Sequence, residues 1–117
     1  MKITEIRIHQ PVGLLRILSD EGIEGFCLGV DESTAGHIQS AYCDYLIGQD
    51  PFDREAIWQE LTRRDRYQYL PQQVRGYVDV GLWDLLGKAT GLPVYRLIGG
   101  FRDSIPAYKM GPNFDNV

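Results

Sequence analysis

The chain has 117 residues, 44% apolar, 24% charged and 11% aromatic, the size and balance of one soluble domain that buries roughly two-thirds of its unfolded surface. A net charge of −4 argues against a nucleic-acid or anionic-membrane partner. The one basic cluster, Arg63-Arg64-Asp65-Arg66, is short, interrupted by an acid and reads as a solvated helix end.

Lys2 to His9 alternates, with Thr4, Ile6 and Ile8 on one face and Glu5, Arg7 and His9 on the other, which predicts a half-buried strand. The same alternation is unlike the apolar core of a signal peptide, and no apolar run is long enough to span a bilayer. After the short connection His9-Gln10-Pro11-Val12-Gly13, residues Gly13 to Ser19 predict a second strand. Ser19-Asp20-Glu21-Gly22 predicts a tight turn, with Gly22 free to take positive φ, and a third strand follows from Ile23 to Val30. Three successive strands with short links predict an antiparallel meander. Cys27 and Cys43 match no metal or redox spacing and read as reduced, packed thiols of a cytoplasmic protein.

The period then changes from strand to helix. Ser33 or Thr34 caps a predicted helix whose apolar positions are Ile38, Ala41, Tyr42, Tyr45 and Leu46, stopping at Gly48. The next helix is expected to start with Asp50 as N-cap and Pro51 at its first position, with Ile57, Trp58 and Leu61 on its apolar side. "RRDRYQYLP" reads as an irregular, basic and aromatic connection. A third helix from about Pro71 places Val74, Tyr77, Val78, Gly81, Leu82, Leu85 and Ala89 on one face. Gly76 and Gly81 each cost a helix about 1 kcal/mol relative to Ala, so close packing is expected at both. Val80 and Trp83 form a second apolar face, as if this helix were covered on two sides. Gly91 stops it, Pro93 opens a short helix that Gly99-Gly100 closes, and Ser104 to Met110 reads as a strand with no evident partner.

With "GQDPFDREAIWQEL" and "VDVGLWDLLGKATGLPVYRLIGGFRDSIPAY" in this order after three strands, the chain resembles the N-terminal capping domain of the enolase superfamily, in the mandelate racemase and muconate-lactonizing branch. The similarity covers essentially the whole chain. It implies an α+β fold, a three-stranded antiparallel meander followed by a small helical bundle. Residues 1–103 would be the cap, and 104–117 would start a (β/α)-barrel whose remainder is the missing partner.

The resemblance also implies a chemistry. In the family, barrel residues bind Mg²⁺ and supply acid and base groups, a base removes the proton α to a small-molecule carboxylate, and the metal stabilises the enediolate. The only lysines here are Lys2, Lys88 and Lys109, so there is no Lys-x-Lys pair, and no carboxylate triad follows the family's spacing. No catalytic residue and no Mg²⁺ ligand is therefore expected within this chain. The expected role is the cap of a sugar-acid dehydratase, in which a hydroxyl β to the abstracted proton leaves with acid help. Racemisation, epimerisation and cycloisomerisation stay open, as does a non-catalytic assembly module, and a homo-oligomer is expected.

Four residues are candidates for substrate contact. Lys109 falls near the C-terminal end of the expected barrel strand, where such enzymes place their sites, and a cation there would meet a carboxylate; a plain surface lysine is the other reading. His9 and Gln10 stand at the end of the first strand, where the family's loop often closes over substrate, although this loop is too short for a large flap. Tyr67, with Tyr69, reads either as pocket-facing or as packing on a subunit neighbour. Asp79, Asp84 and Lys88 read as helix-surface pairs and contacts to the barrel.

Overall fold

Alternating residues in the first quarter of the chain give each strand one face for a core. The computed structural model describes residues 1–108. It places β1 (Ile3–His9), β2 (Leu14–Ser19) and β3 (Glu24–Cys27) in one antiparallel sheet of order β1-β2-β3, the predicted meander. Ile8 pairs with Leu15 and Ile6 with Ile17, and these four face the core. On the outer face Arg7 stands directly opposite Arg16, a like-charge pair that a sheet tolerates poorly. Each guanidinium has its own carboxylate: Arg7 Nε donates to Glu5 Oε1 at 2.6 Å, and Arg16 Nη2 to Glu24 Oε2 at 2.6 Å.

Two strand expectations are corrected. The register shifts between Ile3 and Glu5, so Thr4 is an extra residue that reverses the phase of β1. Ile3 takes the buried position at 1% exposure, while Thr4, assigned to the core face from alternation, is exposed. β3 ends at Cys27 and not at Val30 because the chain beyond it bonds to the β1–β2 connection: Val30 N–H donates to Gly13 O at 3.0 Å.

The helices follow. α1 (Glu32–Ala41) is capped by Asp31, whose carboxylate accepts the Thr34 amide at 2.7 Å, not by Ser33 or Thr34. The expected single helix breaks at Tyr42, and α2 (Cys43–Leu46) is a separate turn before Gly48 at φ 90. Asp50 accepts the Phe52 amide at 2.9 Å in a turn, and α3 (Arg54–Gln68) starts at Arg54, later than expected. It then runs through most of "RRDRYQYLP", the segment expected to be irregular, and stops at Tyr69 in the left-handed region with φ 54. The reason is a continuing helical face: Ile57, Leu61 and Asp65, four apart, are all buried. α4 (Gln72–Thr90) and α5 (Val94–Leu97) follow Pro71 and Pro93 as predicted.

α4 is the hub of the core. Its buried Val74, Val78, Gly81, Leu82 and Leu85 meet Leu15 and Ile17 of the sheet and Ile38 of α1. The closest approach is made by glycines. A Cβ on Gly81 would stand 2.9 Å from Ile17 Cδ1, and one on Gly25 would stand 2.7 Å from Leu85 Cβ. Gly76 does not share this role: nothing lies within 4 Å of its Cβ position, so the close packing expected there is absent. Residues 104–108 are exposed and pair with none of the described strands, so the strand expected over Ser104–Met110 is not formed in that part. Lys109 and Met110 lie outside the described residues.

Candidate functional site

The β1–β2 connection is where two predicted contact residues meet a part of the chain remote in sequence. β1 delivers His9 to the outer face opposite Leu14, with its Nε2 3.5 Å from Arg16 Nη1. Gln10, next along, spends one of its two amide N–H donors within the chain: its Nε2 donates to Val30 O at 2.8 Å. Gly13 at φ +70 turns the chain back, donating to His9 O at 2.9 Å and accepting from Val30 N. Asp31, one residue on, caps α1, and the Thr34 amide it accepts holds its carboxyl below the usual range. Val12 and Leu28 flank this junction, 67% and 65% exposed.

Tyr67 stands elsewhere. It occupies the last turn of α3, 73% exposed, with the Arg63 guanidinium 5.6 Å from its ring, in a cleft shared with Gln59, Thr62 and Arg66. It is therefore a helix-surface residue and not part of a loose connection. Lys109 lies outside the described residues, so its neighbours are not described.

Asp84 and Lys88 are used within the chain. β3 is an edge strand, and Asp84 Oδ2 accepts the outward Phe26 N–H at 2.8 Å while Lys88 Nζ donates to Glu24 O at 2.9 Å. The Lys88 ammonium also sits 3.9 Å above the Phe26 ring. Asp79 pairs with Arg54, whose guanidinium lies 4.4 Å over Trp83. The second apolar face expected at Val80 and Trp83 is thus half closed by Arg54 itself, and Val80 remains 53% exposed.

Sequence reasoning missed a buried polar chain. The Tyr42 hydroxyl donates to Asp65 Oδ1, and Asp65 Oδ2 accepts from Arg75 Nη1 at 2.7 Å, which ties the end of α1 to α3 and α4. The Arg75 guanidinium lies 4.6 Å over the Trp58 ring. Burial, reinforced by the Asp65 hydrogen bond, pushes the Tyr42 hydroxyl far above its usual range, which keeps it a donor to Asp65. The available signal was Asp65 itself, a carboxylate four residues after Leu61 on the apolar face of α3.

Among the described residues, no three His, Cys, Asp or Glu side chains gather to hold a metal ion. Among the same residues no helix is long and apolar enough to cross a membrane.

Residues 3–99 match the family described as mandelate racemase / muconate lactonizing enzyme, N-terminal domain. The chain is similar to a D-galactonate dehydratase of Pectobacterium atrosepticum, 44% identical over 115 residues that make up 92% of this chain and 30% of the relative. It is similar in structure to a 3,6-anhydro-D-galactonate cycloisomerase from Zobellia galactanivorans, with a TM-score of 0.74 and 29% identity over 86% of this chain and 32% of that one. A D-glucarate dehydratase from Agrobacterium tumefaciens, complexed with magnesium, matches with a TM-score of 0.72 and 31% identity over 87% of this chain and 30% of that one. The chain thus spans about a third of the length of the relatives it matches, 30% in the first case. It belongs to the mandelate racemase / muconate lactonizing enzyme N-terminal domain family.

Proposed function

We propose that this family member is the cap, residues 1–103, of a sugar-acid dehydratase, and that residues 104–117 lead into the catalytic barrel. The observation that carries the reading is the 44% identity to a D-galactonate dehydratase across 92% of the chain, which makes D-galactonate the first substrate to test. In the proposed reaction a base takes the proton α to the carboxylate, the C–O bond to the β-hydroxyl breaks with acid help, and the hydroxyl leaves as water. The enol so formed tautomerises to the keto acid. These groups, and the ligands of the proposed Mg²⁺, belong to the barrel; the magnesium-complexed D-glucarate dehydratase of like fold supports the metal. Cycloisomerisation is the second reading, favoured by the Zobellia galactanivorans neighbour at 29% identity.

In this account the cap's own residues bind and orient. His9, Gln10, Tyr67 and Lys109 are the proposed contacts to substrate, Lys109 for the carboxylate and His9 from the hairpin end. Gln10 retains its amide oxygen and its second N–H for a ligand, the other N–H being bonded to Val30. Exposed Val80, Ile98 and Phe101 support docking onto the rest of the enzyme. A homo-oligomer and a cytoplasmic location are proposed as well; the latter is supported by two unpaired cysteines whose thiols burial pushes up.

The test is the intact mass of the purified protein. The reading expects about three times the 13.3 kDa of this chain, cap plus barrel. A mass of 13.3 kDa favours the stand-alone assembly module instead.

A further inference from the structure

The contact between the β1–β2 connection and Val30 carries more than the two loops need for pairing. Beyond Cys27 the third strand has left the ladder, so the backbone groups of residues 28–30 have no partner in β2 by register. Both polar groups of Val30 are nevertheless taken up by the hairpin. Its N–H donates to Gly13 O at 3.0 Å, and its carbonyl accepts Gln10 Nε2 at 2.8 Å. Val30 is itself 1% exposed, so losing either bond leaves a buried backbone group unsatisfied. The approach admits no side chain at Gly13: a Cβ there would stand 2.7 Å from Val30 O and 3.0 Å from Val30 N, and φ is +70. The next residue, Asp31, is bonded to the first turn of α1. The hairpin, Val30 and α1 are therefore linked by consecutive bonds, and Gly29 at φ +91 turns the chain between this link and Leu28.

We propose that this clasp makes the hairpin tip and the β3–α1 connection one fixed wall in place of a closing flap, and that Gln10 is the positioning residue that sets it. The wall presents the exposed apolar side chains of Val12 and Leu28, on sequence segments that no strand pairing holds together. The inference rests on the sugar-acid reading for what the wall faces, since there His9 and Gln10 border the substrate. A preformed wall contributes equally to binding of substrate and transition state, so loosening it raises KM and spares kcat. A flap that closes on substrate behaves otherwise: its loss lowers kcat because water is no longer excluded and the catalytic groups are no longer completed.

The test uses the complete protein, wild type and Gln10→Met, which keeps length and volume but has no N–H donor. Gly13→Ala, whose Cβ would stand 2.7 Å from Val30 O, is the second variant; it opens the same clasp and leaves the Gln10 side chain intact. Amide exchange is followed at Gly13 and Val30 without substrate, and steady-state kinetics are measured on the proposed sugar acid. The clasp predicts slow exchange at both amides in the wild type before any substrate is added. In the variant both amides exchange faster together, although Gln10 bonds only the Val30 carbonyl. In Gly13→Ala, which leaves the Gln10 side chain in place for substrate, KM rises about three- to tenfold, the size of one lost hydrogen bond, with kcat unchanged. Fast wild-type exchange that slows only on substrate addition, unchanged Val30 exchange in the variant, or a fall in kcat at constant KM overturns it. A wild-type protein that turns over no sugar acid sinks the functional reading alone, because the exchange measurement still decides the clasp.

Discussion

Gly25 of β3 lies against the Gly81 turn of α4 so closely that a Cβ on Gly25 would stand 2.7 Å from Leu85 Cβ and meet the Gly81 carbonyl. The sheet and the hub helix touch here backbone to backbone, and the neighbours are rigid main chain and not flexible side-chain ends. Gly25→Ala is therefore expected to destabilise the protein by about 1–3 kcal/mol or more, as overpacking does. Gly76→Ala, where the Cβ meets nothing within 4 Å, is expected to be neutral or to stabilise by about 0.5–1 kcal/mol. Urea melts of the two variants beside wild type check both signs at once.

Asp65→Ala should cost about 3–5 kcal/mol, because the Arg75 guanidinium, 12% exposed, is left without its carboxylate. Adding Arg75→Met to that variant should recover part of the loss by removing the uncompensated charge. Chemical denaturation of the single and double variants gives the coupling directly; additive losses contradict the pairing.

Acid stability should depend on Glu60. Hydrogen bonds from Arg63 first, then from Arg64, depress its carboxyl from the ordinary 4.5 to about 2. A depressed folded value means the unfolded chain binds the proton first, so this contribution is complete above pH 4.5 and is lost as pH falls towards 2. The stability gap between wild type and Glu60→Gln should accordingly be largest above that window and close within it. A gap independent of pH counts against the assignment.

Asp84→Ala removes the acceptor of an edge-strand amide, Phe26 N–H, and one partner of Lys88. A loss of about 1 kcal/mol is expected, with faster exchange of the Phe26 amide in particular. Wild-type exchange at Phe26 in the variant would show that the edge is held by something else.

What the sequence made legible follows local rules. The meander, the Pro71 and Pro93 helix starts and the Val74-to-Leu85 face of α4 each need only a few neighbouring residues to specify them. What it hid depends on partners distant in the chain. The Thr4 bulge shows only in the register against β2, and the shortening of β3 comes from Gly13, which captures Val30. α3 continues past Arg63 and Arg64 because Glu60 and Asp44 take up Arg64 and because Asp65 is neutralised by Arg75 in the interior. By its basic and aromatic composition that stretch reads as an irregular connection. Of the candidate contacts, the hairpin position of His9 was legible from alternation, whereas the engagement of Gln10 with Val30 was not, since the two are 20 residues apart.

Dehydration of the proposed sugar acid by the complete protein is the decisive measurement. Keto-acid product would be followed with added Mg²⁺ and again after chelation. Turnover that the chelator abolishes and added Mg²⁺ restores is expected, with the substrate's α proton lost to solvent. Exchange of that α proton with no elimination of water, or an isomeric product in place of the keto acid, would contradict it and move the chain to the isomerase readings.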